Sequence, residues 1–216
     1  KYQKNVMETL YEVNSENVAE NFEKIVIKLM EIPLLLKLMI LTPIPDLEIE
    51  NLLTILRKHS IKYLKNRNKN PKLIGFFEAL ALHCFVNEYL FNVTREEAEL
   101  VSNLNQKIKN NLGIAVQPCP FEVACLGSYR PLVEYDWHKR LELKTELSEL
   151  IKIQVNEPAQ ESEIKKNITK LKSKKSNTVS IKVRAQYENN PYPRWIKHGL
   201  PRKPKDILSI ARQINI

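Results

Sequence analysis

The chain has 216 residues, 43% of them hydrophobic and 27% charged, with a formal net charge of +9. That length is enough to bury a core as one large domain or two small ones, and the balance is that of a soluble globular protein. Four glycines, at positions 75, 113, 127 and 199, argue against strands joined by tight turns and for helices. The three cysteines, Cys84, Cys119 and Cys125, are odd in number and lack metal-ligand spacing, which predicts a reduced, cytoplasmic setting. The start at Lys1 rather than Met reads as a fragment boundary or the end of a leader, and no signal peptide is apparent. The longest apolar run, residues 32–44, is broken by Pro33, Lys37 and Pro43 and is too short to span a bilayer.

In chain order, residues 6–13 and 16–31 open with an amphipathic pattern, Val18, Phe22, Ile25, Val26 and Leu29, which Ser15 is placed to cap. Pro33 starts a short helix over 34–41 that is apolar almost all round, so burial on most sides is expected. Asp46 is the N-cap of a helix to about residue 64, with Leu47, Ile49, Leu52, Leu53, Leu56 and Ile61 facing inward and a basic end at Lys62, Lys65 and Arg67. Residues 66–70 are a polar loop.

Pro71 suits a helix start, and residues 73–91 form the most hydrophobic long stretch, predicted as the central helix. His83, Asn87 and Glu88 interrupt it and are expected to be paired structurally rather than to form a site. Thr94 and Glu97 make a capping box for a helix that ends at Gly113. A turn over 117–121 leads to a short buried helix over 121–129, after which Pro131 intervenes. Helices follow over 137–155, with Leu141, Leu147, Leu150 and Ile151 inside, and from Pro158 to 168. Residues 173–177 read as a linker, 179–189 as a helix, 200–204 as extended and 206–214 as a last helix. No tetratricopeptide consensus or other internal repeat is visible. The expected fold is therefore all-α, an irregular multi-helix bundle over residues 1–172, followed by a basic segment over 173–216 that carries an extended Pro-rich strip.

Charge is divided along the same line. Residues 1–164 hold 20 Lys and Arg against 23 Asp and Glu, a net −3, whereas residues 165–216 hold 14 against 2, a net +12. Such an end can meet nucleic acid or an acidic neighbouring domain. The usual catalytic signatures are missing: there is no Gly-x-Gly, P-loop, Gly-x-Ser-x-Gly or HExxH. The histidines, at 59, 83, 138 and 198, are isolated from one another and from the cysteines, so no metal site is expected. By its motifs the chain is no enzyme that can be named.

The most specific stretch is residues 186–195, Gln-Tyr-Glu-Asn-Asn-Pro-Tyr-Pro-Arg-Trp. Pro191 and Pro193 hold the strip extended, and Tyr192, Arg194 and Trp195 offer flat rings, an indole N–H and a guanidinium fork. The strip resembles the QYEENPYPRW signature of a bacterial family of S-adenosylmethionine-dependent (class I) methyltransferases that often carry tetratricopeptide repeats. Asn189 stands where the signature has Glu. The likeness takes in Val183 and Arg184, residues 76–91 with 94–97, 46–57 and 154–161, and covers most of residues 33–197.

In that family the signature lies just before the cofactor-binding domain. The resemblance thus implies that this chain is the helical portion of such an enzyme, recruiting substrate or self-associating, and that the catalytic domain follows beyond Ile216. It implies S-adenosylmethionine as the cofactor of the full-length protein, with Tyr187, Asn190, Tyr192, Arg194 and Trp195 at its site, and no tight binding by this chain alone. The partners it implies are the catalytic domain, and a protein substrate or a second copy; no membrane is expected. Two other readings stand beside it: a separate α-helical protein-interaction module, and a nucleic-acid-binding domain that uses the basic end with Tyr187, Tyr192 and Trp195 as stacking platforms.

Overall fold

The computed structural model describes residues 18–32, 34–142, 146–167, 182–183 and 186–187. By its internal contacts the chain divides into two units, Lys1–Leu171 and Lys172–Ile216. The first is built from helices α1 (Val18–Met30), α2 (Leu35–Leu41), α3 (Leu47–Tyr63), α4 (Ile74–Val86), α5 (Arg95–Gly113), α6 (Pro120–Gly127), α7 (Ser148–Ile151) and α8 (Glu157–Asn167). Short 3-10 turns lie at Pro71–Leu73, Leu132–Glu134 and His138–Arg140. No strand occurs among the described residues, so the fold is all-α.

α4 is the centre. Every residue from Phe76 to Val86 except Glu78 is buried, as a helix apolar on all sides requires. α2 and α6 pack most closely against it. An aromatic cluster ties four elements at one end: Phe22 of α1, Tyr63 of α3, Phe77 of α4 and Phe121 of α6. Phe77 meets Phe121 edge-on, with centroids 4.9 Å apart at 86°, the arrangement the ring quadrupoles favour.

α4 is shorter than the sequence suggests. It ends at Val86, where Glu88 and Tyr89 adopt positive φ of 52° and 57°. The Tyr89 and Glu88 amides donate to the Cys84 and Phe85 carbonyls, at 2.9 and 3.1 Å, closing the helix in a Schellman turn without glycine. The reversal leaves Leu90 83% exposed and returns Phe91 to the core.

α2 also departs from expectation. Only Leu35 and Met39 are buried, and Leu34 and Leu38 face outward, because the helix rests on its neighbours by one face. Leu47, expected inside, is 78% exposed at the first position of α3. Asp46 caps that helix as expected, accepting from the Glu48 and Ile49 amides at 3.0 Å.

The helix expected over 137–155 is broken. Its first part is the 3-10 turn at His138–Arg140, and α7 starts only at Ser148. No break follows before Pro158; instead a π-helical turn, Lys152–Asn156, joins α7 to α8. A proline lacks the amide for an α-helical bond and collides with the carbonyl four residues before it, so the wider turn lets the helix pass. The same turn aims Gln154 into the core. Its Oε1 accepts from the Leu132 amide (3.1 Å), and its Nε2 donates to the carbonyls of Ala81 (3.2 Å) and Gly127 (3.0 Å). A side chain at Gly127 would press on that amide, its Cβ lying 3.2 Å from Oε1, which explains a glycine there.

Candidate functional site

Of the five residues that the family resemblance implies for a cofactor site, Tyr187 alone is among the described residues. It is helical and 65% exposed. Asn190, Tyr192, Arg194 and Trp195 lie outside them, as does the linker expected over 173–177.

Within the first unit, the densest arrangement of polar chemistry surrounds Arg57. The α3 stripe of Leu53, Leu56, Ser60 and Ile61 carries Arg57 on its buried face, and it is 1% exposed. One guanidinium nitrogen, Nη2, donates to the Asn92 carbonyl (2.6 Å) and to Glu97 Oε1 (3.3 Å). The Tyr129 hydroxyl donates to the same Glu97 oxygen at 2.9 Å, and the Tyr129 ring lies 4.6 Å from the guanidinium carbon. Glu97 Oε2 completes the capping box of α5, accepting from the Thr94 amide and hydroxyl at 2.9 Å. Burial opposes ionisation of Glu97. The Thr94 and Tyr129 hydrogen bonds and the Arg57 charge outweigh it and hold the carboxyl below its ordinary value.

Two thiols lie beside this ion pair, each only 1% exposed. Burial pushes Cys84 up to about 12 and raises Cys125 as well, with only partial relief from Arg57. The thiolate is the nucleophilic form, and burial disfavours it here. Among the described residues no three His, Cys, Asp or Glu side chains stand close enough to hold a metal ion.

His83, on α4, is paired structurally as expected. Its Nδ1 lies 3.1 Å from the Met39 carbonyl, which can only accept, so Nδ1 carries the proton. Nε2 then accepts from Asn87 Nδ2 at 3.0 Å, and the ring is neutral.

A polar cleft of about 450 Å³ opens between α1 and α3, with Glu23, Lys24, His59, Lys62 and Tyr63 among its lining. Its charges are of both signs. Burial and a 2.7 Å bond to Glu23 push Tyr63 up to about 12. Burial, then Lys62 and Lys58, hold His59 below its ordinary value.

The buried role of Arg57 is the residue-level feature that the sequence reading did not single out. Its signal was present, since Leu53, Arg57 and Ser60 recur at the helical spacing of one face. No protein-family model, curated protein or solved structure matches the chain. No helix among the described residues is long and apolar enough to cross a membrane.

Proposed function

We propose that this chain is the helical portion of an S-adenosylmethionine-dependent methyltransferase, lying before the cofactor-binding domain and helping to shape the entrance for the methyl acceptor. The observation that carries the reading is the strip at residues 186–195, with two tyrosines, a tryptophan, an arginine and two prolines in ten positions. The cofactor combines a flat adenine, a ribose diol, a carboxylate and a sulfonium. Rings stack on adenine or face the sulfonium by cation–π attraction, and a guanidinium pairs with the carboxylate. In this reading Tyr187, Asn190, Tyr192, Arg194 and Trp195 form a wall of the methyl-donor site. The exposure of Tyr187 supports it, because a ring that meets another domain must not be consumed by its own core. The sequence has no Gly-x-Gly turn of its own to hold a cofactor, so in this reading the cofactor fold is supplied by the further domain.

The test is a pair of substitutions, Arg194→Ala and Trp195→Ala, in the protein that carries the cofactor-binding domain. A wall residue predicts cofactor affinity lowered about tenfold or more, with the melting temperature of the cofactor-free protein unchanged. Loss of melting temperature with affinity intact assigns the strip to holding two domains together and ends the wall reading.

A further inference from the structure

A second concavity, a groove of about 340 Å³, lies between α5 and the segment that follows α6. Val93, just before α5, together with Ala98 and Val101 on it, supplies an apolar wall; Tyr129 and Tyr135 stand opposite. The Tyr129 and Tyr135 hydroxyls donate inward, to Glu97 and to the Leu126 carbonyl, so the donors left to the groove come from Arg130, Asn105 and Ser102. Tyr135 stacks on Trp137 with centroids 4.9 Å apart, and the Arg130 guanidinium lies over the Tyr135 ring, 3.9 Å from its centroid. A guanidinium held flat on a ring keeps the N–H groups of its fork in one plane. Arg130 is exposed, forms no ion pair among the described residues, and is the one charged side chain in the described lining. Asn105 adds to it. The Trp137 indole can only donate, and its Nε1 lies 2.7 Å from Asn105 Oδ1, which fixes the orientation of the amide and identifies its NH2 as the donor end. Ser102 contributes a hydroxyl to the same lining.

An apolar wall, two rings and a planar cation that meets Tyr135 but no carboxylate among the described residues, beside two neutral donors, define the complement of one kind of molecule. We propose that the groove binds a small apolar carboxylate, whose hydrocarbon or aromatic part seats between the α5 wall and Tyr129 while its carboxylate takes the Arg130 fork. A single fork matches two coplanar oxygens bearing one negative charge. A phosphate dianion is better met by several cations, and Arg130 is the one cation in the described lining. Every lining residue of the groove named here belongs to the first unit.

The probe is N-acetyl-L-phenylalanine, titrated into the full 216-residue chain with amide resonances followed by NMR, against its neutral carboxamide and against phenyl phosphate. The acid is expected to shift the resonances of Val101, Ser102 and Asn105 and to bind about tenfold more tightly than the carboxamide, the factor one charge-assisted contact contributes. Arg130→Gln should reduce the acid to the level of the carboxamide, and Val101→Trp, which fills the groove from a half-buried position on α5, should remove both. Equal binding of acid and carboxamide, a preference that survives Arg130→Gln, tighter binding of phenyl phosphate, or shifts confined to other residues would each overturn the assignment.

Discussion

Two hydrogen bonds fix the protonation of His83, and its burial makes that choice count for stability. Burial holds its pKa below the ordinary 6.5, opposed in part by the Met39 carbonyl. The unfolded chain therefore takes up the proton first as pH falls. The contribution is complete above pH 6.5 and is lost as pH falls below it towards the folded value, by at most about 1.4 kcal/mol per pH unit. His59 is lowered too and acts in the same window. The informative measurement is thus the difference in urea-unfolding free energy between the wild type and His83→Gln from pH 7.5 to 5. That difference should shrink on acidification, and a constant difference would mean His83 is not held neutral. The Arg57–Glu97 pair sets a second expectation. Removing one partner of a buried ion pair strands the other, so Glu97→Leu should cost about 3–5 kcal/mol, with part recovered when Arg57→Met is added. A loss under about 1 kcal/mol would show that water reaches the pair.

At the scale of elements, the end of α5 shows what sequence pattern finds and what it misses. The helix ends at Gly113 as expected, but the glycine is not the left-handed residue that closes it. That role falls to Ala115, with φ of 58°, and the Val116 and Ala115 amides donate to the Asn111 and Leu112 carbonyls in a Schellman turn. Gly113 is helical, with open space around a prospective Cβ. Exchanging the two, Gly113→Ala with Ala115→Gly, should therefore stabilise the protein by about 1–2 kcal/mol, since each residue then suits its backbone. Thermal unfolding checks this, and a lower melting temperature would contradict the assignment of the turn. Asp46, Thr94 with Glu97, and the all-round apolar run of α4 were legible because each acts within a few residues. The early end of α4 and the π turn were not. The first depends on Glu88 and Tyr89, residues with no sequence preference for positive φ. The second depends on Gln154 reaching Leu132, Ala81 and Gly127, contacts far away along the chain.

For the molecule as a whole, the fold was readable and the site only by resemblance. An all-α class follows from scarce glycine and helical periodicity, whereas the proposed cofactor residues rest on resemblance to a ten-residue signature whose chemistry would need a further domain. Charge offers the sharpest rival. With a net +12 over residues 165–216, the chain should show weak nucleic-acid binding that falls steeply between low and physiological salt, as counterion release dictates. Sub-micromolar, sequence-dependent binding at physiological salt would favour the rival. The methyltransferase reading is tested most directly by calorimetric titration of S-adenosylmethionine into two proteins, this 216-residue chain and the same chain continued through its proposed catalytic domain. The account predicts no micromolar binding by the first and saturable binding by the second, lost with Arg194→Ala. Micromolar binding by the 216-residue chain alone, or none by the longer protein, would contradict it.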